Sequence, residues 1–392
     1  MLYTQSLTPL NVPVAVIQPG QSFSLDLRKV CANAPVRLRG NFSIGAAGIV
    51  TVLIDVQRNG SSIINGGRVL KSISVGTGGN NFYYPYTFEV VDANTNSVAN
   101  YTFILTAVSD VVTVASAVTT AEVSPLLSVN QKFPPAGIPV TTILPGTRVT
   151  IPLAVSPAAK KPIHLSANLN FIFPLSNIDT TIDIVDDTGR SVIQGPQPME
   201  KFPTGPIVGT VENSHTLDVV VTESSRSYTL ILAASSASSA TVLDYYCFSA
   251  RVSDAATTQS FPPMTAPPSY TIPVDAVVNI PLKASIGKGP KQLFFTANYA
   301  YNTLNSTVLL YNIRRGSGDS LTDGTQILVK SPTDGLSDIF EINLSVLAVD
   351  PIGHDCDETY YIDLINTGFT VIDIDYFNFT VQLLRSEGRT KK

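Results

Sequence analysis

The chain of 392 residues repeats itself three times, and this constrains its architecture more than any other feature. Gln5-Ser6-Leu7-Thr8-Pro9, Gln131-Lys132-Phe133-Pro134-Pro135 and Gln259-Ser260-Phe261-Pro262-Pro263 align, and the prolines stay in register beyond them. Pro9, Pro13, Pro19 and Gly20 answer to Pro135, Pro139, Pro145 and Gly146; the third copy keeps Pro263, Pro267 and Pro273, with Val274 at the glycine position. A period of about 130 residues lies far beyond the 20–50 of solenoid units, so the repeats are whole domains in tandem.

The register continues inside the copies. Thr51-Val52-Leu53-Ile54 leading to Arg58-Asn59-Gly60 answers to Thr180-Thr181-Ile182-Asp183 leading to Asp187-Thr188-Gly189, and to Thr307-Val308-Leu309-Leu310 leading to Arg315-Gly316. Each reads as a strand entering a turn. Tyr101-Thr102-Phe103-Ile104-Leu105 likewise matches Tyr228-Thr229-Leu230-Ile231-Leu232.

Runs rich in Val, Ile, Thr, Tyr and Phe alternate with Gly, Pro, Asn and Ser breaks; Val50 to Gln57, Thr216 to Val221, Glu341 to Val346 and Asp373 to Leu383 are good examples. No helical stripe longer than two turns interrupts them. The expected fold is all-β: three tandem antiparallel β-sandwich domains, jelly-roll-like, joined by Pro-rich connectors. The absence of Trp and of a repeated Cys pair argues against an immunoglobulin-like sandwich. The expected division is a connector at 1–20, domains at 21–130, 147–258 and 275–392, and linkers at 131–146 and 259–274.

Charged residues make up 14% of the chain, against about 25% in ordinary globular domains, which suggests that part of the surface is covered by other subunits. Net charge is −5 and the basic residues are scattered, so no nucleic-acid footprint is present. No apolar run is long enough to span a membrane, and Met1-Leu2-Tyr3-Thr4-Gln5 lacks the pattern of a secretory signal. Ser-, Thr- and Asn-rich strands nevertheless suit an extracellular surface structure of a spore or virion.

Catalytic signals are thin, and no cofactor is implied. The histidines are His164, His215 and His354. His164 falls between Ile163 and Leu165, so alternation turns it away from the sandwich core and toward solvent. The cluster His354-Asp355-Cys356-Asp357-Glu358 and the segment Asp186-Asp187-Thr188-Gly189 read as polar turns before they read as metal sites. Cys31, Cys247 and Cys356 occupy non-equivalent positions, so no internal disulfide recurs; inert thiols and intermolecular bridges both remain open. Asn-x-Ser/Thr sites at Asn41, Asn59, Asn100, Asn305, Asn343 and Asn378 are near the chance expectation for this composition.

The β-rich unit that opens near Cys31, runs through a strand ending Arg58-Asn59-Gly60 and closes on Tyr101-Thr102-Phe103-Ile104-Leu105 resembles the jelly-roll subunits of endospore appendages from spore-forming Firmicutes, and related clostridial spore-surface proteins. The resemblance implies subunits joined end to end by an N-terminal connector that enters the neighbour, often with disulfide cross-links. Residues 1–20 take the connector role by position. Pro9, Val12, Pro13, Val14, Val16, Pro19 and Gly20 would form it, with the valines alternating as an edge-pairing strand does. The alternative is that the segment opens its own first domain.

The function expected from the sequence is that of a non-enzymatic structural subunit, polymerising with further copies of itself as the N-terminal connector of one docks on domain 3 of the next. A virion component (a phage fibre or capsid-decoration protein) and a carbohydrate-binding adhesin are the alternatives.

Overall fold

The computed structural model describes residues 3–384 apart from 48, 74–81, 95–96, 156–160, 175–176, 203–209, 223–224, 253–254, 303–305, 332–338 and 353–356. The elements among them are strands. Domain 1 comprises β1 (Tyr3–Ser6), β2 (Ala15–Ile17), β3 (Ser22–Ala32), β4 (Val36–Ala46), β5 (Val50–Arg58), β6 (Ser61–Ser62), β7 (Arg68–Ile73), β8 (Phe82–Asp92), β9 (Ser97–Ala107) and β10 (Val112–Val123). Domain 2 comprises β11 (Leu127–Lys132), β12 (Thr141–Ile143), β13 (Arg148–Ala154), β14 (Ile163–Pro174), β15 (Ile178–Asp186), β16 (Gln197–Phe202), β17 (Thr210–Val221), β18 (Ser227–Ala234) and β19 (Thr241–Val252). Domain 3 comprises β20 (Ala255–Ser260), β21 (Tyr270–Ile272), β22 (Val277–Ala284), β23 (Lys291–Asn302), β24 (Thr307–Arg315), β25 (Gln326–Ser331), β26 (Ile339–Asp350), β27 (Glu358–Asn366) and β28 (Ile372–Leu383).

Domain 1 shows the plan. Strands β1 and β2 both pair with β10, which continues through β4 to β8, while the second sheet runs β3-β9-β5-β7. Strands next to each other in the chain mostly lie in opposite sheets, which is the jelly roll. Domains 2 and 3 repeat it with β11/β12-β19-β14-β17 over β13-β18-β15-β16, and β20/β21-β28-β23-β26 over β22-β27-β24-β25. The strands expected at Val50 to Gln57, Thr216 to Val221, Glu341 to Val346 and Asp373 to Leu383 are present as β5, β17, β26 and β28. Along β5, Val50, Val52, Ile54 and Val56 point into the first core and are fully buried, while the residues between them are partly exposed.

The two sheets of each domain are shared with different neighbours. Strand β7 of domain 1 pairs with β17 of domain 2 (Lys71 opposite Asn213), β16 of domain 2 with β26 of domain 3 (Lys201 opposite Glu341), and β25 of domain 3 with β8 of domain 1 (Lys330 opposite Tyr83). Each outer sheet thus runs into the inner sheet of the next domain, and the third junction returns to the first. The chain is a closed ring with pseudo-threefold symmetry, the three inner sheets facing its axis.

This closure corrects the reading of the Pro-rich segments. Residues 1–20 are the opening strands of domain 1: β1 pairs with β10 through Tyr3 to Ser6, and β2 pairs with β10 through Ala15 to Ile17. The segments 131–146 and 259–274 are equivalent pieces of domains 2 and 3, where β11 and β12 pair with β19, and β20 and β21 pair with β28. Pro134, Pro135 and Pro139, and Pro262, Pro263, Pro267 and Pro268, occupy the excursion between two short edge strands, and Pro145 and Pro273 the turn after the second, positions where a missing N–H costs the sheet nothing. The turn after β2 needs a residue with positive φ, supplied by Gly20 (78°) and Gly146 (71°). In domain 3 the residue there is Asp275 (59°), one position beyond Val274. Asp is among the few side chains that tolerate this conformation.

The free rims of the ring are stitched shut. Thr4 Oγ1 donates to Asp26 O (2.6 Å), Asn130 Nδ2 to Pro152 O (2.7 Å) and Thr258 Oγ1 to Pro281 O (2.9 Å), so the first strand of each domain caps a carbonyl of the β3, β13 or β22 edge. Pro152 and Pro281 also remove donors from two of those edges. Such edges are poor templates for strand addition.

Candidate functional site

The inner strands are buried on both faces. One face meets the sandwich core; the other meets the ring axis, where the side chains are polar. Strand β8 leaves backbone groups unpaired along the axis, and an unpaired buried N–H or C=O is costly. Side chains from the next domain take the place of a strand. Val91 N donates to Gln131 Oε1 (2.9 Å) while Gln131 Nε2 donates to Val91 O (2.7 Å). Asn168 accepts from Glu89 N (3.2 Å) and donates to Thr87 O (2.8 Å). The second junction repeats the clamp between Gln259 and Val220, at 3.1 and 2.9 Å.

At the third junction the N-terminal segment supplies the equivalent residue. Val349 N donates to Gln5 Oε1 (3.1 Å), Gln5 Nε2 donates to Leu321 O (3.1 Å), and Gln326 Nε2 of domain 3 donates to Thr8 O (2.9 Å). The N-terminal segment does meet domain 3, as the repeat implies, but it is domain 3 of its own chain. Of the residues expected to form a connector, Val14 donates its N–H to Val114 O (2.8 Å) and Val16 pairs with Thr113, both within domain 1. Pro9, Val12 and Pro13 line a cleft of about 220 Å³ with Tyr83, Ile327 and Lys330, and Pro19 and Gly20 form the turn into β3.

An ion network fills one level of the axis. Arg37 and Arg39 of β4 both reach Glu89 of β8, at 3.0 Å from Arg37 Nη2 and 3.0 Å from Arg39 Nε. Arg39 also spans the junction to Asp218 of β17, with Nη1 donating to Oδ2 (3.1 Å) and Nη2 to Oδ1 (2.8 Å). Ser166 and Ser249 of domain 2 donate to Glu89. Glu122 pairs with Arg251 and lies 3.8 Å from Arg37 Nη1. All of these residues are buried.

Burial alone would push the Glu89 carboxyl up, but the guanidinium groups of Arg37 and Arg39 outweigh it and hold the group at about 2. Asp218 is held well below the usual carboxylate range, Arg39 and His164 overcoming burial. Among the described residues domain 3 contributes no charge to this layer. Phe294 and Leu347 stand there, and the Arg39 guanidinium stacks 4.2 Å from the Phe294 ring centroid.

His164 corrects a second expectation. It does point away from its sandwich core, but the neighbouring domains cover that face and the side chain is 0% exposed. Its Nε2 lies 2.9 Å from Asp218 Oδ1 and its Nδ1 3.4 Å from Arg37 Nη1. Burial lowers its affinity for a proton, and a neutral ring protonated on Nε2 satisfies both contacts. His215 is buried against Glu200 (2.7 Å).

Other sequence candidates separate cleanly. Cys247 is fully buried and burial raises its thiol pKa, so it is unavailable for an intermolecular bridge; Cys31 is exposed, and Cys356 and His354 lie outside the described residues. Asn41, Asn343 and Asn378 are buried and cannot carry a glycan, whereas Asn59 and Asn100 are exposed and Asn305 lies outside the described residues. Asp186 accepts from the N–H groups of Thr188 (2.9 Å) and Arg190 (3.0 Å), the geometry of a turn. Among the described residues no group of His, Cys, Asp and Glu is arranged to hold a metal ion, and no helix is long and apolar enough to cross a membrane.

The junction of domains 2 and 3 carries a titrating group. Burial, reinforced by the carboxylates of Glu341 and Asp373 and opposed by Lys201, pushes Asp375 up to about 7. A carboxyl raised on folding stabilises fully below its unfolded value near 3.8, and this stabilisation is lost as pH rises through about 7. Between pH 5 and pH 8 the melting temperature is expected to fall, and Asp375→Asn to flatten that fall. An equally steep profile in the variant would rule out Asp375 as its source.

No family model matches the chain, and no curated protein matches it. Solved structures with low similarity include an archaeal virus protein described by its triple jelly-roll fold and turret assembly (10% identity, covering 94% of this chain and 85% of that one, TM-score 0.20). VP2 of infectious bursal disease virus in a subviral particle shares 7% identity over 94% of this chain and 84% of that one, TM-score 0.20. Dimeric latent PorU from Porphyromonas gingivalis shares 11% identity over 88% of this chain and 32% of that one, TM-score 0.26. The description of the fold rests on the strand topology above.

Proposed function

We propose that the protein is a non-enzymatic structural subunit that assembles with further copies of itself into a particle-surface or virion structure. The observation that carries this reading is the closure of three jelly rolls by equivalent Gln clamps at Gln5, Gln131 and Gln259. Closure consumes the free N-terminal segment on which a connector-linked spore appendage depends, and leaves a rigid block suited to lattice or column packing.

Ligand-binding readings have less support. The inner sheets face the axis and are covered, and the sandwich interiors are filled by apolar side chains. The clefts at two junctions enclose about 220 and about 190 Å³, below the roughly 300–1,000 Å³ of small-molecule sites, while a cleft of about 470 Å³ lies on domain 1 beside Arg58, Asn59 and Asp92. Electron microscopy of the purified full chain over a range of concentration and salt is expected to show regular assemblies of a three-lobed unit. Protein that stays monomeric throughout would contradict the reading.

A further inference from the structure

The junction of domains 1 and 2 sets a lysine against a carboxamide. Lys71 of β7 and Asn213 of β17 stand directly opposite one another in the pairing that joins the two domains, so their side chains leave the same face of the shared sheet. Lys71 Nζ is in hydrogen-bond contact with Asn213 Oδ1, and Cγ is the next atom beyond that oxygen. The other end of the amide is held by Glu200 of β16, with Asn213 Nδ2 donating to Glu200 Oε1 (2.8 Å). The second carboxylate oxygen, Glu200 Oε2, lies 2.7 Å from Nε2 of His215, two residues along β17 from Asn213.

The repeat brings these groups together. Lys71 lies opposite Val52 and Glu200 opposite Thr180, each beside the bulge of its strand pair, so the two occupy one position in consecutive domains. Asn213 touches both. At the second junction Glu200 faces Ile342 and Lys201 faces Glu341, and at the third Lys330 faces Tyr83, so among the described residues the first junction is where a lysine meets a carboxamide across the pairing.

The site is closed to water. Lys71 is 4% exposed, Asn213 6% and Glu200 1%, and the Tyr86 ring lies 5.7 Å from Lys71 Nζ. A lysine is rarely buried unless it is paired with a carboxylate. Here the amine is directed at an amide, and the carboxylate holds the amide's other end. Burial lowers the Lys71 ammonium to about 7, against the opposing pull of the Glu200 and Glu212 carboxylates. The neutral amine that results is a nucleophile.

We propose that Lys71 and Asn213 become joined in the folded chain by an intramolecular isopeptide bond, with Glu200 carrying the proton. The lone pair of Lys71 Nζ attacks Asn213 Cγ, and the carbonyl π electrons move to Oδ1. Glu200 takes a proton from Nζ and delivers it to Nδ2. The intermediate collapses with breakage of the Cγ–Nδ2 bond, ammonia leaves, and a secondary amide joins Nζ to Cγ. Glu200 ends as the carboxylate it began as, and no oxidant or reductant is consumed. Contact within one fold makes the step unimolecular. Each chain performs it once, so it is self-modification without turnover. The bond locks domain 1 to domain 2; it goes beyond the structural-subunit reading and does not rest on it.

Mass spectrometry of the purified full chain tests the bond. The intact mass is expected to fall short of the sequence mass by one ammonia. Trypsin is then expected to leave Lys71 uncut and to release a branched peptide joining residues 69–132 to residues 202–226. Lys71→Arg is expected to restore the full mass, and Glu200→Gln, which keeps the size of the side chain, to slow bond formation by roughly a hundredfold on refolding. If either variant fails to fold, the wild-type mass and branched peptide decide alone. Wild-type protein at its full sequence mass, cut by trypsin after Lys71, overturns the proposal. A mass loss that persists in Lys71→Arg places the change elsewhere and also overturns it. Unchanged bonding in Glu200→Gln overturns proton transfer by Glu200.

Discussion

Glu89→Ala is expected to cost about 3–5 kcal/mol, because it leaves the guanidinium groups of Arg37 and Arg39 buried at the axis without their shared carboxylate. The pair was assembled against a large desolvation cost, and the loss is the part of that cost that Asp218 and Glu122 do not offset. The melting temperature should fall by several degrees and the ring should become sensitive to protease at the junction of domains 1 and 2. Charge is needed for balance and not for packing, as Phe294 and Leu347 at the matching positions of domain 3 show. The combined substitution of Arg37, Arg39, Glu89 and Asp218 by Met and Leu should therefore recover much of the loss. A Glu89→Ala protein as stable as wild type would show that the network contributes nothing. The sign with pH also follows: a carboxyl depressed on folding stabilises fully above its unfolded value, so this contribution is complete above about 4.5 and is lost progressively as pH falls through about 2 for Glu89.

Deleting residues 1–17 is expected to have the larger effect, loss of the native ring. The deletion removes β1 and β2 and so bares the edge of β10. It also strips Tyr3 and Leu7 from the apolar seam formed by Val118, Phe294, Leu347, Val349 and Leu384. The clamp on Val349 goes with Gln5. Bared strand edges and apolar seams lead to aggregation. Loss of near-ultraviolet dichroism and of the monomeric elution peak would report it. A truncated chain that melts as wild type does would mean that the segment is a detachable arm after all.

What was legible in the sequence depended on period. Runs of β-branched and aromatic residues between turn-forming breaks located β5, β17, β26 and β28, because such side chains suit a pleated, buried strand. The register of Gln, Pro and Gly revealed the three copies. Alternation says which face a residue takes, but not what covers that face, and His164 was misplaced for that reason. The Pro-rich pieces read as linkers because an edge strand interrupted by proline has too few alternating residues to announce itself. Two signals pointed to the axis. The apparent outer faces of β4, β14 and β23 carry Asn41 and Ser43, Ser166 and Asn168, and Thr296 and Asn298, where a solvated face would favour Lys and Glu. Gln5, Gln131 and Gln259 also recur at one position of the repeat, but a side chain that replaces a strand partner has no local pattern by which to be read.

The closed ring itself is tested most directly by a cross-link between domains 1 and 3. Thr87 Oγ1 and Ser345 Oγ are in hydrogen-bond contact across the junction that the chain does not bridge covalently. In a Cys31→Ser background, Thr87→Cys with Ser345→Cys should form a disulfide on mild oxidation, found by peptide mass spectrometry within single chains of the monomeric fraction. A bond formed only between chains, or both thiols left free while the protein remains folded, would contradict the ring.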